Sequence, residues 1–254
     1  MIRRLRAVAR LARAVAHGLH GLAIVLFAFP SLDPAARHER IRWWSAKMLA
    51  VLGIALESAG TPRRAGVLLA ANHVSWLDIM AIHAIVPEAR FVSKADVKAW
   101  PLVSRLVASA GTLYLERERK RDALRVVHAV AAALADQRVV AIFPEGTTST
   151  GHGLLPFHAN LLQAAIATAT PVQPVALRFA DASHSVSEAV EFVGATSLLK
   201  SLWRTSCGGG VRVRLSFLPA RGSAGEDRRV LAQKLREDIG AALGLPRGAE
   251  TGRR

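Results

Sequence analysis

Between residues 66 and 86 the chain passes from one apolar run to another through a short polar break, and that break restricts the fold. Gly66-Val67-Leu68-Leu69 leads through Ala70-Ala71 and reads as a buried strand, whereas Ile79 to Val86 reads as helix. The break itself is Asn72-His73-Val74-Ser75-Trp76-Leu77-Asp78. An imidazole and a carboxylate therefore fall at a strand-to-helix junction, where α/β folds carry their chemistry. Spacing narrows the geometry further. Two side chains five positions apart on one ideal helix point about 140° apart, since each residue turns roughly 100°. His73 and Asp78 can meet only if His73 precedes the helix and Asp78 reaches back from its first turn. Ser75 or Asn72 is positioned to cap that helix by accepting from its unpaired N–H groups.

Such a pair has a narrow use. A carboxylate bound to one imidazole nitrogen selects the tautomer and leaves the other nitrogen free to take a proton from a hydroxyl. General-base assistance of this kind contributes about 10²–10⁴-fold to a rate. The structural alternative is a histidine that caps the helix or satisfies a buried group, so the pair needs companions.

The rest of the chain alternates in the same way. Strands are expected at Gly66–Ala71, Arg90–Ser93, Thr112–Leu115, Val139–Phe143, Val172–Phe179 and Val211–Phe217. Helices are expected at Ile79–Val86, Val97–Ser109, Arg121–Gln137, Ala159–Thr168 and Glu226–Leu243. The alternation predicts an α/β fold: a single mixed, largely parallel sheet flanked by helices. Gly208-Gly209-Gly210 reads as a turn before the last strand. A chain of 254 residues can bury a full core. Residues 1–57 are assigned to an N-terminal anchor segment, 58–246 to the α/β domain and 247–254 to a disordered polar tail.

Residues 3–29 read as one long helix with two faces. Leu5, Val8, Ala12, Val15, Leu19, Leu22, Ala23 and Leu26 form an apolar stripe, opposed by Arg3, Arg6, Arg10, Arg13 and His17. The uncharged stretch from Ala14 to Phe29 is short of the roughly 20 residues a membrane span needs. A monotopic anchor, lying in the interface with its arginines on anionic headgroups, fits this pattern. A core helix and a short single span are the alternatives, while a signal peptide would need a cleavage site that the sequence lacks. A second helix is expected over Arg40–Glu57, after a loop from Ser31 to His38. Its Trp43 and Trp44, beside Arg40, Arg42 and Lys47, suit either a membrane interface or a core.

Charge and cysteine content bound the partners. Thirty-four Lys and Arg against 19 Asp and Glu give a formal charge of +15, which favours polyanions such as anionic lipid, phosphorylated substrates or nucleic acid. A basic nucleic-acid-binding protein is the distant alternative from another class, but no nucleic-acid-binding motif accompanies the charge, so no nucleic-acid partner is expected. The single cysteine, Cys207, excludes an internal disulfide. No C-x-x-C or H-E-x-x-H pattern points to a metal site.

Three further strand exits carry polar residues. Phe91-Val92-Ser93-Lys94-Ala95-Asp96-Val97 brings Lys94, and Gly111-Thr112-Leu113-Tyr114-Leu115-Glu116-Arg117 brings Arg117. Phe143-Pro144-Glu145-Gly146-Thr147-Thr148-Ser149 forms a turn after an apolar strand. Two cations near His73 can hold a phosphate, the arginine as a fork and the lysine as a point charge. Ser149 after its turn raises a serine hydrolase as a rival, but the G-x-S-x-G elbow is missing.

These blocks, in this order, resemble the glycerolipid acyltransferase family, which includes the 1-acylglycerol-3-phosphate acyltransferases. Asn72-His73 with Asp78 matches its N-H-x-x-x-x-D block. Gly111 to Arg117 is similar to G-x-x-F-x-x-R, with Tyr114 for the phenylalanine, and Phe143 to Ser149 is similar to F-P-E-G-T-R-S. Thr170-Pro171-Val172-Gln173-Pro174-Val175 resembles the proline-containing fourth block, and Lys94 matches a basic position of K-x-E-L. The resemblance implies acyl transfer from acyl-CoA or acyl carrier protein to a lysolipid hydroxyl, with no other cofactor. It also implies His73 as base, Asp78 as its orienting acid, and Asn72, Lys94, Arg117, Glu145, Gly146 and Thr147 as substrate-binding positions. The expected acceptor is 1-acyl-sn-glycerol-3-phosphate. Thr148, where an arginine is frequent, makes another lysolipid such as lyso-ornithine lipid the alternative. The implied location is the cytoplasmic face of the inner membrane, monotopic or peripheral, on an anionic surface.

Overall fold

The structure is a computed structural model that describes residues 2–94, 101–115 and 120–246, with side chains described for 4–92, 104–114 and 124–246. Its strands are β1 (Ile54–Ala59), β2 (Val67–Ala71), β3 (Arg90–Lys94), β4 (Leu113–Leu115), β5 (Val139–Ile142), β6 (Val172–Ala180) and β7 (Val211–Phe217). Its helices are α1 (Ile2–Ala23), α2 (Pro34–Val51), α3 (Leu77–Ile85), α4 (Pro101–Ser109), α5 (Lys120–Ala135), α6 (Leu162–Ala167), α7 (Leu198–Cys207) and α8 (Arg228–Ala242). The strands make one seven-stranded sheet in the order β1-β7-β6-β2-β5-β3-β4. Every neighbouring pair is parallel except β6 with β7.

β2 lies in the middle of the sheet because all five of its residues are apolar and buried. A strand buried on both faces needs a helical layer on each side. Alternate β2 residues divide between the two layers, as the period of a strand demands. Val67, Leu69 and Ala71 pack with α2 and α3 through Met48, Leu49, Leu77 and Ile82. Leu68 and Ala70 pack with α5, α6 and α8 through Val130, Leu134, Leu162 and Leu235. Because β6, β2, β5 and β3 run parallel, their exits share one edge of the sheet, and the junction at residues 72–78 opens there.

Two expectations are corrected, one at the N-terminal side and one before the last strand. The helix expected over Arg40–Glu57 runs from Pro34 to Val51 instead. It begins early because Asp33 caps it, accepting from the Ala36 amide at 2.8 Å, with Pro34 as its first residue. It stops at Leu52, before Gly53 at φ 78°, a conformation only glycine adopts without strain. Residues 54–59 are then an edge strand paired in parallel with β7, so a boundary at residue 57 cuts through the sheet. The second correction is α7, an additional helix before the Gly208–Gly210 turn. The tail at 247–254 lies outside the described residues.

Helix α1 continues through a wider turn at Ile24–Ala28 and a tight one at Phe29–Ser31. Its seat on the body is made of small residues. Ala7, Ala14, His17 and Gly21 are buried, whereas Leu5, Val8, Val15 and Leu19 are each at least half exposed. His17 Nε2–H donates to the Trp44 carbonyl at 2.9 Å, and Trp44 Nε1–H donates to the His17 carbonyl at 2.9 Å. Their rings stack 5.2 Å apart. Trp44 is thus an interhelical core residue, and Trp43 is the exposed member of the pair. Arg10 and His17, expected on the headgroup side, instead face the protein. The Arg10 guanidinium donates to the carbonyls of Ser206 and Gly208 at the end of α7, where the helix dipole favours a cation.

A β-carbon on Gly21 would overlap the Trp44 indole. We expect Gly21→Ala to lower stability by about 1–3 kcal/mol, read as a fall in urea midpoint at unchanged slope.

Candidate active site

The junction after β2 is held from the sheet side first. The Asn72 amide commits both ends to one residue of β6: Oδ1 accepts from the Leu177 N–H at 2.7 Å and Nδ2 donates to the Leu177 carbonyl at 2.9 Å. It is buried. Asn72, expected among the substrate-binding residues, therefore lies beneath the site, where it replaces the backbone pairing that β2 gives up as it leaves the sheet.

Asp78 sits in the first turn of α3 and is fully buried. Its Oδ2 accepts from His73 Nδ1 at 2.7 Å, from the Val74 N–H at 2.7 Å and from the Ser75 N–H at 2.9 Å. One oxygen thus shapes the loop and orients the imidazole. Neither Ser75 nor Asn72 caps α3, contrary to expectation. Ser75 Oγ and Asp78 Oδ1 are buried with no hydrogen-bond partner among the described residues. With Nδ1–H given to Asp78, His73 Nε2 is left with its lone pair, on a side chain 17% exposed. An imidazole with one nitrogen anchored and a lone pair on the other can take a proton from a bound hydroxyl.

The third block supplies the seat of that base. His73 stacks on Phe143 with ring centroids 3.9 Å apart and planes 8° from parallel. Phe91 lies behind Phe143 at 5.6 Å. The His73 N–H donates to Glu145 Oε1 at 2.8 Å, and the His73 carbonyl accepts from the Ser149 N–H at 2.8 Å. Glu145 Oε2 accepts from the Leu155 N–H at 2.9 Å. Glu145, expected to bind substrate, is buried and bonded on both oxygens, one of them to the main chain of His73. The Ser149 hydroxyl also donates to the His73 carbonyl rather than to an imidazole nitrogen, which argues against a serine nucleophile. His83, a second imidazole nearby, is buried against Phe91, and burial pushes its pKa down to about 4.

Gly146 and Thr147 form the exposed rim. Gly146 adopts φ 69°, and a β-carbon there would crowd the His158 ring at 3.0 Å. Thr148, the position that differs from the family block, donates through Oγ1 to the Phe192 carbonyl, while the Phe192 N–H donates to the Val74 carbonyl at 3.2 Å. Lys94 is the last residue of β3, opposite Leu115 of β4; its side chain, and all of Arg117, lie outside the described residues. Sequence reasoning missed Phe143 as the platform under the imidazole. The signal was the aromatic residue at the strand exit just before the Pro-Glu-Gly turn.

The chain has relatives among known proteins. A family model described as acyltransferase matches residues 56–178. A 1-acyl-sn-glycerol-3-phosphate acyltransferase of Neisseria meningitidis is 36% identical over 214 residues, 83% of each chain. The chain belongs to the acyltransferase family. This acyltransferase is equally similar, at 36% identity over 248 residues and 94% of each chain, to a lyso-ornithine lipid O-acyltransferase of Pseudomonas aeruginosa. The crystal structure of PlsC from Thermotoga maritima, a 1-acyl-sn-glycerophosphate acyltransferase, shares the fold. It superposes with a TM-score of 0.67 at 19% identity, covering 96% of this chain and all of that one.

Electrostatically, the unusual group in the acyltransferase is Glu145. Burial pushes its pKa from 4.5 up to about 7, against the pull of the Leu155 and His73 amides, which favour the carboxylate. A folded pKa above the unfolded one means that the native state binds the extra proton between those values. Stability is then fullest below pH 4.5 and declines as pH rises through 7. We expect a decline of about 3 kcal/mol from this group across that window, and its disappearance in Glu145→Gln, in melting temperatures collected from pH 4.5 to 8.

Proposed function

We propose that the protein transfers a fatty acyl group from acyl-CoA or acyl carrier protein to the free hydroxyl of a lysophospholipid, foremost 1-acyl-sn-glycerol-3-phosphate. The observation carrying this reading is the 2.7 Å contact between His73 Nδ1 and the buried Asp78 carboxylate, on an imidazole side chain 17% exposed. His73 Nε2 takes the acceptor's hydroxyl proton as its oxygen attacks the thioester carbonyl. Asp78 stabilises the imidazolium that forms. The tetrahedral intermediate then collapses, the C–S bond breaks, and the imidazolium proton goes to the leaving thiolate. Lys94, Arg117 and the Gly146-Thr147 rim are the proposed headgroup contacts. A second reading, with lyso-ornithine lipid as acceptor, is favoured by Thr148. Its hydroxyl engages the Phe192 carbonyl, so this position offers no cation for a phosphate.

The proposed location is the cytoplasmic face of the cell membrane, with α1 lying in the interface. Its outward stripe of Leu5, Val8, Val15 and Leu19, followed by Leu26 and Phe27, supports this. By length and composition the helix Arg4–Ser31 is apolar enough to span, with 17% of its most apolar window buried; the seating of Ala7, Ala14, His17 and Gly21 on the body favours a helix lying flat.

With acyl-CoA or acyl carrier protein and each lysolipid in turn, we expect thiol release to depend on the acceptor. His73→Ala should abolish it, and Asp78→Asn should lower kcat by about 10²–10⁴ at nearly unchanged KM. Full activity of His73→Ala would refute the mechanism. Faster turnover of lyso-ornithine lipid than of 1-acyl-sn-glycerol-3-phosphate would select the second acceptor. Separately, Leu19→Asp with Phe27→Asp should release the protein from anionic vesicles, measured by co-sedimentation.

A further inference from the structure

Helix α7 carries an apolar face that no part of the described protein covers. Leu199 is 67% exposed and Trp203, one turn later, is 41% exposed. Lys200 lies beside them, also exposed. The Trp203 indole N–H has no partner among the described residues, the arrangement of a tryptophan whose ring is apolar and whose edge is wet. α7 packs along α1, and Arg10 ties the two together at the end of α7. The inner side of α7 reaches the catalytic loop: Ser201 Oγ accepts from Trp76 Nε1 at 3.1 Å. Trp76 lies between His73 and Asp78 in sequence, so the helix that shows Leu199 and Trp203 to the outside is bonded to the loop that carries the base.

We infer that α7 is a second bilayer-contacting element, which inserts Leu199 and Trp203 among the lipids beside α1 with Lys200 at the anionic headgroups. The occupant is a lipid surface, and three features argue for it. The helix that carries the face packs along α1, an exposed lysine flanks the apolar pair, and one member of that pair is a tryptophan, which favours membrane–water boundaries. Contact at α7 would fix the height of the Trp76 loop above the membrane, and with it His73, where a lysolipid hydroxyl emerges from the leaflet. The inference rests on the interfacial reading of α1.

The test uses the full chain and vesicles of phosphatidylglycerol and phosphatidylethanolamine. Leu199→Ser with Trp203→Ser, α1 unchanged, is expected to lower the vesicle partition coefficient at least tenfold while activity on detergent-dispersed substrate stays within twofold. Trp203→Phe should remove part of the fluorescence quenching by brominated lipid, a readout that needs no loss of binding. Partition and quenching equal to those of the unaltered protein would overturn the inference and leave the α1 reading intact. No partition by the unaltered protein would overturn both. A dimer in solution that the double variant abolishes, with partition unchanged, would assign the α7 face to a second copy and overturn the inference.

Discussion

A single buried oxygen, Asp78 Oδ2, accepts three hydrogen bonds, from the His73 ring and from the amides of Val74 and Ser75. The site depends on that convergence. A carboxylate in a dry interior is tolerated only where donors converge on it. Here the donors are the loop that it shapes and the imidazole that it orients. The geometry is reached because β2 ends at Ala71 and α3 begins at Leu77, so that the acid looks back over the turn at the base.

The second layer of control comes from the turn after β5. Phe143 lies flat beneath the imidazole, while Glu145 and Ser149 hold the two backbone groups of His73. Ring and main chain are thereby fixed from separate directions, which is the preorganisation a general base needs when no ligand is yet bound. Glu145 does this at the expense of its own ionisation, since burial raises its pKa. Two blocks about 70 positions apart in the chain act as one unit because β2 and β5 are adjacent parallel strands.

The N-terminal helix reverses the usual arrangement of an amphipathic helix on a soluble domain. Its leucines and valines point away from the protein, and alanine and glycine make the close approach. Small residues let helix backbones approach where large apolar side chains are wanted elsewhere. The same logic extends to α7, which presents Leu199 and Trp203 outward while Ser201, Thr205 and Ser206 lie inward.

Much of this was legible from residue order. The six strands expected from apolar runs all appear, and the pairing of His73 with Asp78 across a junction follows from a separation of five residues and the pitch of a helix. Edge strand β1 was not legible, because Ile54–Ala59 follows a helix without a polar break and only Gly53 marks the change. Helix α7 was hidden by its polar inner face. Local periodicity, then, determined the fold class, the dyad and the existence of an amphipathic start, since those depend on neighbours in sequence. Tertiary structure alone decided that Asn72 and Glu145 hold the loop around His73, that Phe143 lies under its ring, and that the apolar stripe of α1 faces outward. Each of those depends on which distant strand or helix arrives opposite, and the pattern of a single segment carries no record of its partner.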